Sequence, residues 1–213
     1  MAPVAGHVAS LSISGVAVPV IDEPTSVVSS GVFQVTSLTR RVFAPDAAVT
    51  IKDGGGATLS PSTYTFNHLF GIVTFSSSAP VACTVSGSYL PMRTVGLIRA
   101  VDLKVSGDLS DTSVMGSAYK QKAATLADFT IGIETLQMPL EDLDSGESGI
   151  QSVDSILRSG TPKLLEVLFG AYRFRGWCVF EDYFVKASTA ALVEVSTNAI
   201  GSAQNGVSFA WGQ

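Results

Sequence analysis

The sequence predicts a mainly β protein: a β-sandwich with one short flanking helix over residues 94–213, preceded by a small β module over residues 1–93. Three observations carry this. Apolar residues make up 46% of the 213 and charged residues 15%, a balance that fills a core and argues against disorder. Runs such as FTIGIETL (129–136) alternate apolar and polar residues at the period of a strand. Turn residues recur at roughly eight- to twelve-residue intervals, the spacing of sandwiches and barrels.

In the first module, residues 7–20 (HVASLSISGVAVPV) read as an extended arm or edge strand, stopped by Pro19 and then by Asp22, Glu23 and Pro24. Phe33–Thr36 is a short strand. Val49–Lys52 follows Pro45 and Asp46, and the run from Asp53 to Gly56 turns the chain. Tyr64 and Phe66 alternate, Asn67–Gly71 turns, and Ile72–Phe75 returns. Val81–Tyr89 alternates, with Val81, Cys83 and Val85 expected on one side. Leu90, Pro91 and Met92 close this part, which puts a boundary near residue 93.

The second module opens with the strand Leu97–Ser106. Val101, Leu103 and Val105 share one face, and Asp102, Lys104 and Ser106 share the other. A polar connection, Gly107–Asp128, then leads to Phe129–Leu136. It is far longer than a tight hairpin needs, and such a loop in a compact domain usually has a job. Phe129, Ile131 and Ile133 oppose Asp128, Thr130 and Glu134. Val193, Val195 and Thr197 oppose Glu194, Ser196 and Asn198. One apolar and one polar face per strand is the habit of antiparallel sheets. Between these strands lie an acidic loop, Pro139–Gly149, and a short helix, Val153–Leu157, with Gly160 as its C-cap. Lys163–Phe169 and Phe174–Ala187 are strands. The latter has almost no polar face, so it is central or covered by a partner chain.

The net charge is −5, and its distribution is uneven. Residues 1–95 carry four basic and four acidic side chains; residues 96–213 carry 9 and 14. An acidic chain without a basic patch is a poor surface for gripping DNA. The run Tyr172–Trp177 (YRFRGW) mixes arginine with aromatics, but in an acidic module core packing is the better reading. Cys83 and Cys178 read as buried free thiols. MAPVAGHVAS has no basic region ahead of an apolar stretch, so no signal peptide is expected and folding in a cytoplasm is. No apolar run approaches the length of a membrane-spanning helix.

Chemistry is sparse. There is no dinucleotide-binding glycine motif, no phosphate-binding P-loop and no nucleophile elbow. His68 reads as a turn residue, since nothing pairs it with a nucleophile. Two cysteines with the distant His7 and His68 make no recognisable zinc site. Asp142, Asp144 and Gly146 start like a calcium loop, but the twelfth position is Val153 and not glutamate. No enzyme activity and no cofactor are expected.

The order of residues 97–206 resembles the major tail (tail tube) proteins of long-tailed bacteriophages. The pieces that carry the resemblance are LIRAVDLKVSGD, the arm LSDTSVMGSAYKQKAATLAD, FTIGIET, VDSILRSG, FRGWCVFEDYFVKA and ALVEVSTNAIGS. They cover about half the chain and contain no diagnostic short motif. Residues 20–93 exceed the minimal tube fold and resemble hairpins of phage virion proteins, which implies a decorating outer domain or elaborated arm. The resemblance implies a tail-tube-type β-sandwich whose copies form rings, hexameric in that family, that stack into a tube for DNA delivery. It implies that the loop 107–128 reaches the next ring, with Asp111, Ser113, Met115, Tyr119, Lys120 and Lys122 as contacts. The polar face, with Asp102, Lys104, Thr130, Glu134 and Glu194, would then line the lumen, where carboxylates let a duplex slide. Partners implied are further copies of the chain, tape-measure, tail-terminator and tail-tip proteins, and double-stranded DNA in transit, with no membrane. The place implied is the virion tail, assembled in the host cytoplasm. The competing expectation is a β-sandwich that binds a receptor or carbohydrate on a virion or cell surface. It would favour aromatic residues on loops, whereas here they sit mostly in strands.

Overall fold

The protein is described by a computed structural model over residues 9–76, 79–98, 100–111, 122–139, 158–187, 192–207 and 209–212. It is mainly β, built on antiparallel ladders in two sheets. The chain divides into two compact units. One holds residues 11–95, 164–177 and 203–213, and the other holds 1–10, 96–163 and 178–202. The break near Val95 falls close to the expected boundary. The segments 164–177 and 203–213 were expected with the second module but belong to the first unit, because strand pairing there is non-local.

In the first unit, a six-stranded sheet has the order β4 (Thr50–Asp53), β7 (Cys83–Tyr89), β2 (Val18–Ser29), β3 (Val32–Val35), β6 (Ile72–Phe75), β5 (Tyr64–Asn67). Contrary to expectation, Pro19 and Pro24 do not end a strand; β2 runs through both. A register shift between Val20 and Glu23, with Asp22 at φ 53°, lets it do so, since bulges tolerate residues that cannot donate to the ladder. Residues 18–24 pair with β7 and residues 25–29 with β3. Lys52 Nζ stands 2.9 Å from Asp22 Oδ1 and fixes the bend. Val81 is also corrected. It precedes β7, beyond the last pair Asp53–Cys83, and is 97% exposed, whereas Cys83 and Val85 are buried.

The same unit contributes most of β1 (Ala9–Ser14), the first part of β8 (Met92–Ile98), most of β11 (Lys163–Phe169), the first part of β12 (Tyr172–Ala187) and β14 (Phe209–Gly212). Their pairing order is β8, β1, β11, β12, β14. Extended backbone sends successive side chains to opposite sides, and residues 42–44 use this to serve two cores. Phe43 packs with Val20, Phe33, Ile51 and Val85, while Val42 and Ala44 pack with Phe70, Leu90, Leu164 and Trp177. Gly71, at φ 60°, has no alternative here: a Cβ would lie 2.9 Å from the Arg41 carbonyl oxygen.

His68 sits in the turn expected for it, its ring edge-on to Phe66 at 5.0 Å. Burial holds its imidazole below the ordinary histidine value, against a smaller opposing effect of a backbone hydrogen bond to Ala44. The unfolded chain therefore takes up a proton near pH 6.5 that the folded chain resists. Stability from this group is complete above that pH and is lost as pH falls towards the folded value. In His68→Phe, the loss of unfolding free energy between pH 7 and 5.5 should be smaller than in the parent, by urea titration. Equal slopes would remove His68 from the account.

In the second unit, β9 (Val101–Asp111) and β10 (Lys122–Pro139) form a long hairpin, followed across β10 by β13 (Leu192–Gly201) and the remainder of β12. The strand expected over Leu97–Ser106 is two strands. Val101 pairs with Ile133, and Ile98 with Leu136, on the same side of β10. The register of β10 slips between Ile133 and Leu136, and the partner strand breaks opposite this bulge. The loop expected over 107–128 is shorter, because strand pairing continues to Asp111–Lys122. Backbone ladders need no apolar alternation, and a second bulge between Ala124 and Ala127 disguises the period.

Phe129, Ile131, Ile133, Val195 and Thr197 are buried as their alternation requires. Val105 is not: it is 47% exposed, and Val101 and Leu103 are half-buried. Among the described residues β9 pairs with β10 alone, so its apolar face is only partly covered. The expected helix Val153–Leu157 and acidic loop 140–149 lie outside the described residues. Arg158 and Ser159 are helical, and Gly160 follows them at φ 60°, as a C-terminal cap does.

Candidate functional site on the polar face of the hairpin sheet

Directly paired residues of neighbouring strands share a face, so the ladder registers assemble the site. One row runs Asp102, Gly132, Asn198, Asp182, and the next runs Lys104, Thr130, Ile200, Val179. Asp102, Lys104, Thr130, Asn198 and Asp182 are exposed. Three of the five residues expected on this face, Asp102, Lys104 and Thr130, thus lie together. Glu134 falls in the β10 bulge, out of the row, and Glu194 pairs with Gln137 beyond it. Of the expected loop contacts, Asp111 and Lys122 are opposite one another as the last pair of the hairpin. Ser113, Met115, Tyr119 and Lys120 lie outside the described residues.

The expectation missed Asp182. A register shift between Phe180 and Asp182 turns it onto the face that simple alternation denies it. Its Oδ1 accepts hydrogen bonds from the Asn198 backbone and side chain, each at 3.1 Å, which holds the carboxylate in place. Gly132 keeps the middle of the row bare: a Cβ would sit 3.5 Å from Asn198 Oδ1 and 3.9 Å from Asp102 Cβ. The result is an open cleft of about 510 Å³ with Asp102 and Asp182 on its walls and Phe184 and Ser196 at one end. Two carboxylates repel a polyanion and attract counter-ions. Among the described residues no group of three or more His, Cys, Asp or Glu side chains is placed to hold a metal.

A second charged group sits in the other unit. Glu166, on β11, and Arg175, on β12, are both buried, with Arg175 Nε and Nη2 each 2.6 Å from Glu166 Oε2. Arg175 Nη1 also donates to the Leu69 carbonyl, and the guanidinium lies 4.8 Å from the centre of the Phe70 ring. The part of YRFRGW from Phe174 to Trp177 is core, as expected, with both of its faces buried, whereas Tyr172 is exposed and Arg173 half-buried. The signal for the pair was Glu166 itself, a carboxylate in the otherwise apolar run LLEVLF, which demands a buried cation. Both thiols are free and buried, and burial pushes the Cys178 thiol up to about 12, so it stays protonated and inert.

A comparison with protein-family models finds no match, and a comparison with curated proteins finds none. The fold and the site together define a mainly β protein with one carboxylate-bearing sheet face and one long strand that is singly paired among the described residues.

Proposed function

We propose that the chain is a self-assembling structural protein of a phage virion, whose copies close into rings, six to a ring, that stack as the tail tube through which DNA is delivered. The observation that carries this reading is β9. It is eleven residues long, pairs on one side only among the described residues, and leaves Val105 exposed. A long free edge invites aggregation unless another chain covers it, and closing a ring of copies does so. The carboxylate row supports a lumen-facing assignment for this sheet, where DNA would pass without being bound. Tape-measure, terminator and tip proteins would be the remaining partners, and the virion tail the place.

Electron microscopy of the concentrated protein tests the proposal: rings or tubes are expected, and a monodisperse monomer under every condition tried would end it. The hairpin allows a sharper arm. Asp111 and Lys122 already face each other, so residues 112–121 can be replaced by Asn-Gly, a turn that closes such a ladder. The shortened chain should fold with unchanged circular dichroism yet fail to stack. Normal tubes from it would remove the hairpin tip from the stacking contact.

A further inference from the structure

A cleft of about 460 Å³ opens within the first unit, and its charge is unbalanced. Glu166, Arg173 and Arg175 form one wall, and Ser12, Tyr89 and Thr94 supply hydroxyl groups. Thr39 adds a further hydroxyl, and Leu38, Val42, Pro91 and Met92 are the apolar part of the lining. The buried carboxylate of Glu166 is spent on Arg175. Arg173 reaches the same Oε2 only at 3.4 Å and stays one-third exposed to the cleft. Arg41 lies near enough for like-charge repulsion to act between it and both Arg173 and Arg175, and its Nε is occupied by the Val35 carbonyl at 2.9 Å. Two guanidinium groups thus face one carboxylate in the cleft, a surplus of one positive charge, reinforced by the nearby Arg41, in a chain of net charge −5. The Ser12 and Thr94 hydroxyls, 3.1 Å apart, share one hydrogen bond, so one hydroxyl proton remains to donate.

We propose that this cleft binds a carboxylate attached to an apolar body, with Arg173 as its principal partner. A guanidinium fork matches a carboxylate in shape and charge, and the apolar walls suit a short hydrocarbon or side-chain stem. The carboxylate can come from a free small molecule or from an acidic side chain of a second copy, and both present the same group. The inference rests on one unit and stands whether or not the chain forms tubes.

The test uses the full chain labelled with ¹⁵N-arginine, titrated with hexanoate and, as the uncharged control, hexanol. Hexanoate should shift the Arg173 Nε–H signal saturably, and hexanol should not. Arg173→Gln should weaken hexanoate binding roughly tenfold or more, and Arg173→Lys should restore part of it. The Arg175 Nε–H signal, held by Glu166, reports in each variant that the fold is intact. An equal response to hexanol, no saturation, or undiminished binding in both Arg173 variants would overturn the proposal. Sedimentation then separates the sources. If hexanoate dissociates self-associated protein, the natural occupant is a second copy. If association is indifferent to hexanoate, it is a small carboxylate.

Discussion

Replacing Glu166 with alanine is expected to lower the unfolding free energy by about 3–5 kcal/mol, the cost of leaving a buried charge without its partner. Arg175 is 3% exposed. Burial presses its guanidinium below the ordinary arginine value, and Glu166 is the charge that works against this. In the single variant that support is gone, while the Leu69 carbonyl and the Phe70 ring still hold the guanidinium in place. The pair itself need not be stabilising, because two desolvated ions recover little more than they lose. Glu166→Leu combined with Arg175→Met should therefore be far less destabilised than Glu166→Ala alone, although the Leu69 carbonyl loses a donor. Urea unfolding of the two proteins measures the difference. Equal losses would mean that the cavity, and not the stranded charge, sets the cost.

A second large effect is expected at Phe129 and Gly201, one step beyond the first pair of the β10–β13 ladder, Thr130–Ile200. Phe129 is fully buried, and its ring lies over Gly201: a Cβ there would meet ring carbons at 2.8 and 2.9 Å and Asp128 Oδ1 at 2.4 Å. An aromatic ring laid over a cross-strand glycine covers backbone that a side chain would otherwise cover. Phe129→Ala should cost about 3–5 kcal/mol. Gly201→Ala should cost about 1–3 kcal/mol by forcing the ring and the carboxylate aside. Once the ring is gone the clash with it is gone too, so the double variant should lose less than the sum. Strict additivity in denaturant titrations would show that the two positions do not share this space.

Alternation made much of the second unit legible. The faces of Phe129–Ile133 and Val195–Asn198 followed from it, because each strand has one buried and one wet side. Errors cluster where a bulge changes the parity. Asp182 and Glu134 sit in such steps, and so does the break between Ile98 and Val101; a one-residue slip reverses every later side chain. The prolines of β2 misled for a related reason, since they mark a bend inside a strand rather than its end. β14 was missed because FAWG is too short to show a period. The cleft around Arg173 was illegible, as it joins residues of β1, β8, β11 and β12 that only the pairing order brings together. The lone glutamate of LLEVLF was its one visible trace.

The non-local ladder of the first unit also fixes an order of events during synthesis. The six-stranded sheet draws on residues 18–89 alone and can form as soon as they have left the ribosome. One of the two neighbours of β1 is β11, and the hydrogen bond from the Leu164 amide to Ser14 Oγ spans 150 residues. Until that strand is made, Leu11 and Ile13, both buried at the end, have no cover on that side. A nascent chain in this state carries an apolar edge for the time taken to translate the whole hairpin unit. Long-range pairing of this kind folds slowly and exposes the chain to misassociation. A stalled or truncated product ending before residue 164 would keep its first sheet and aggregate through its second.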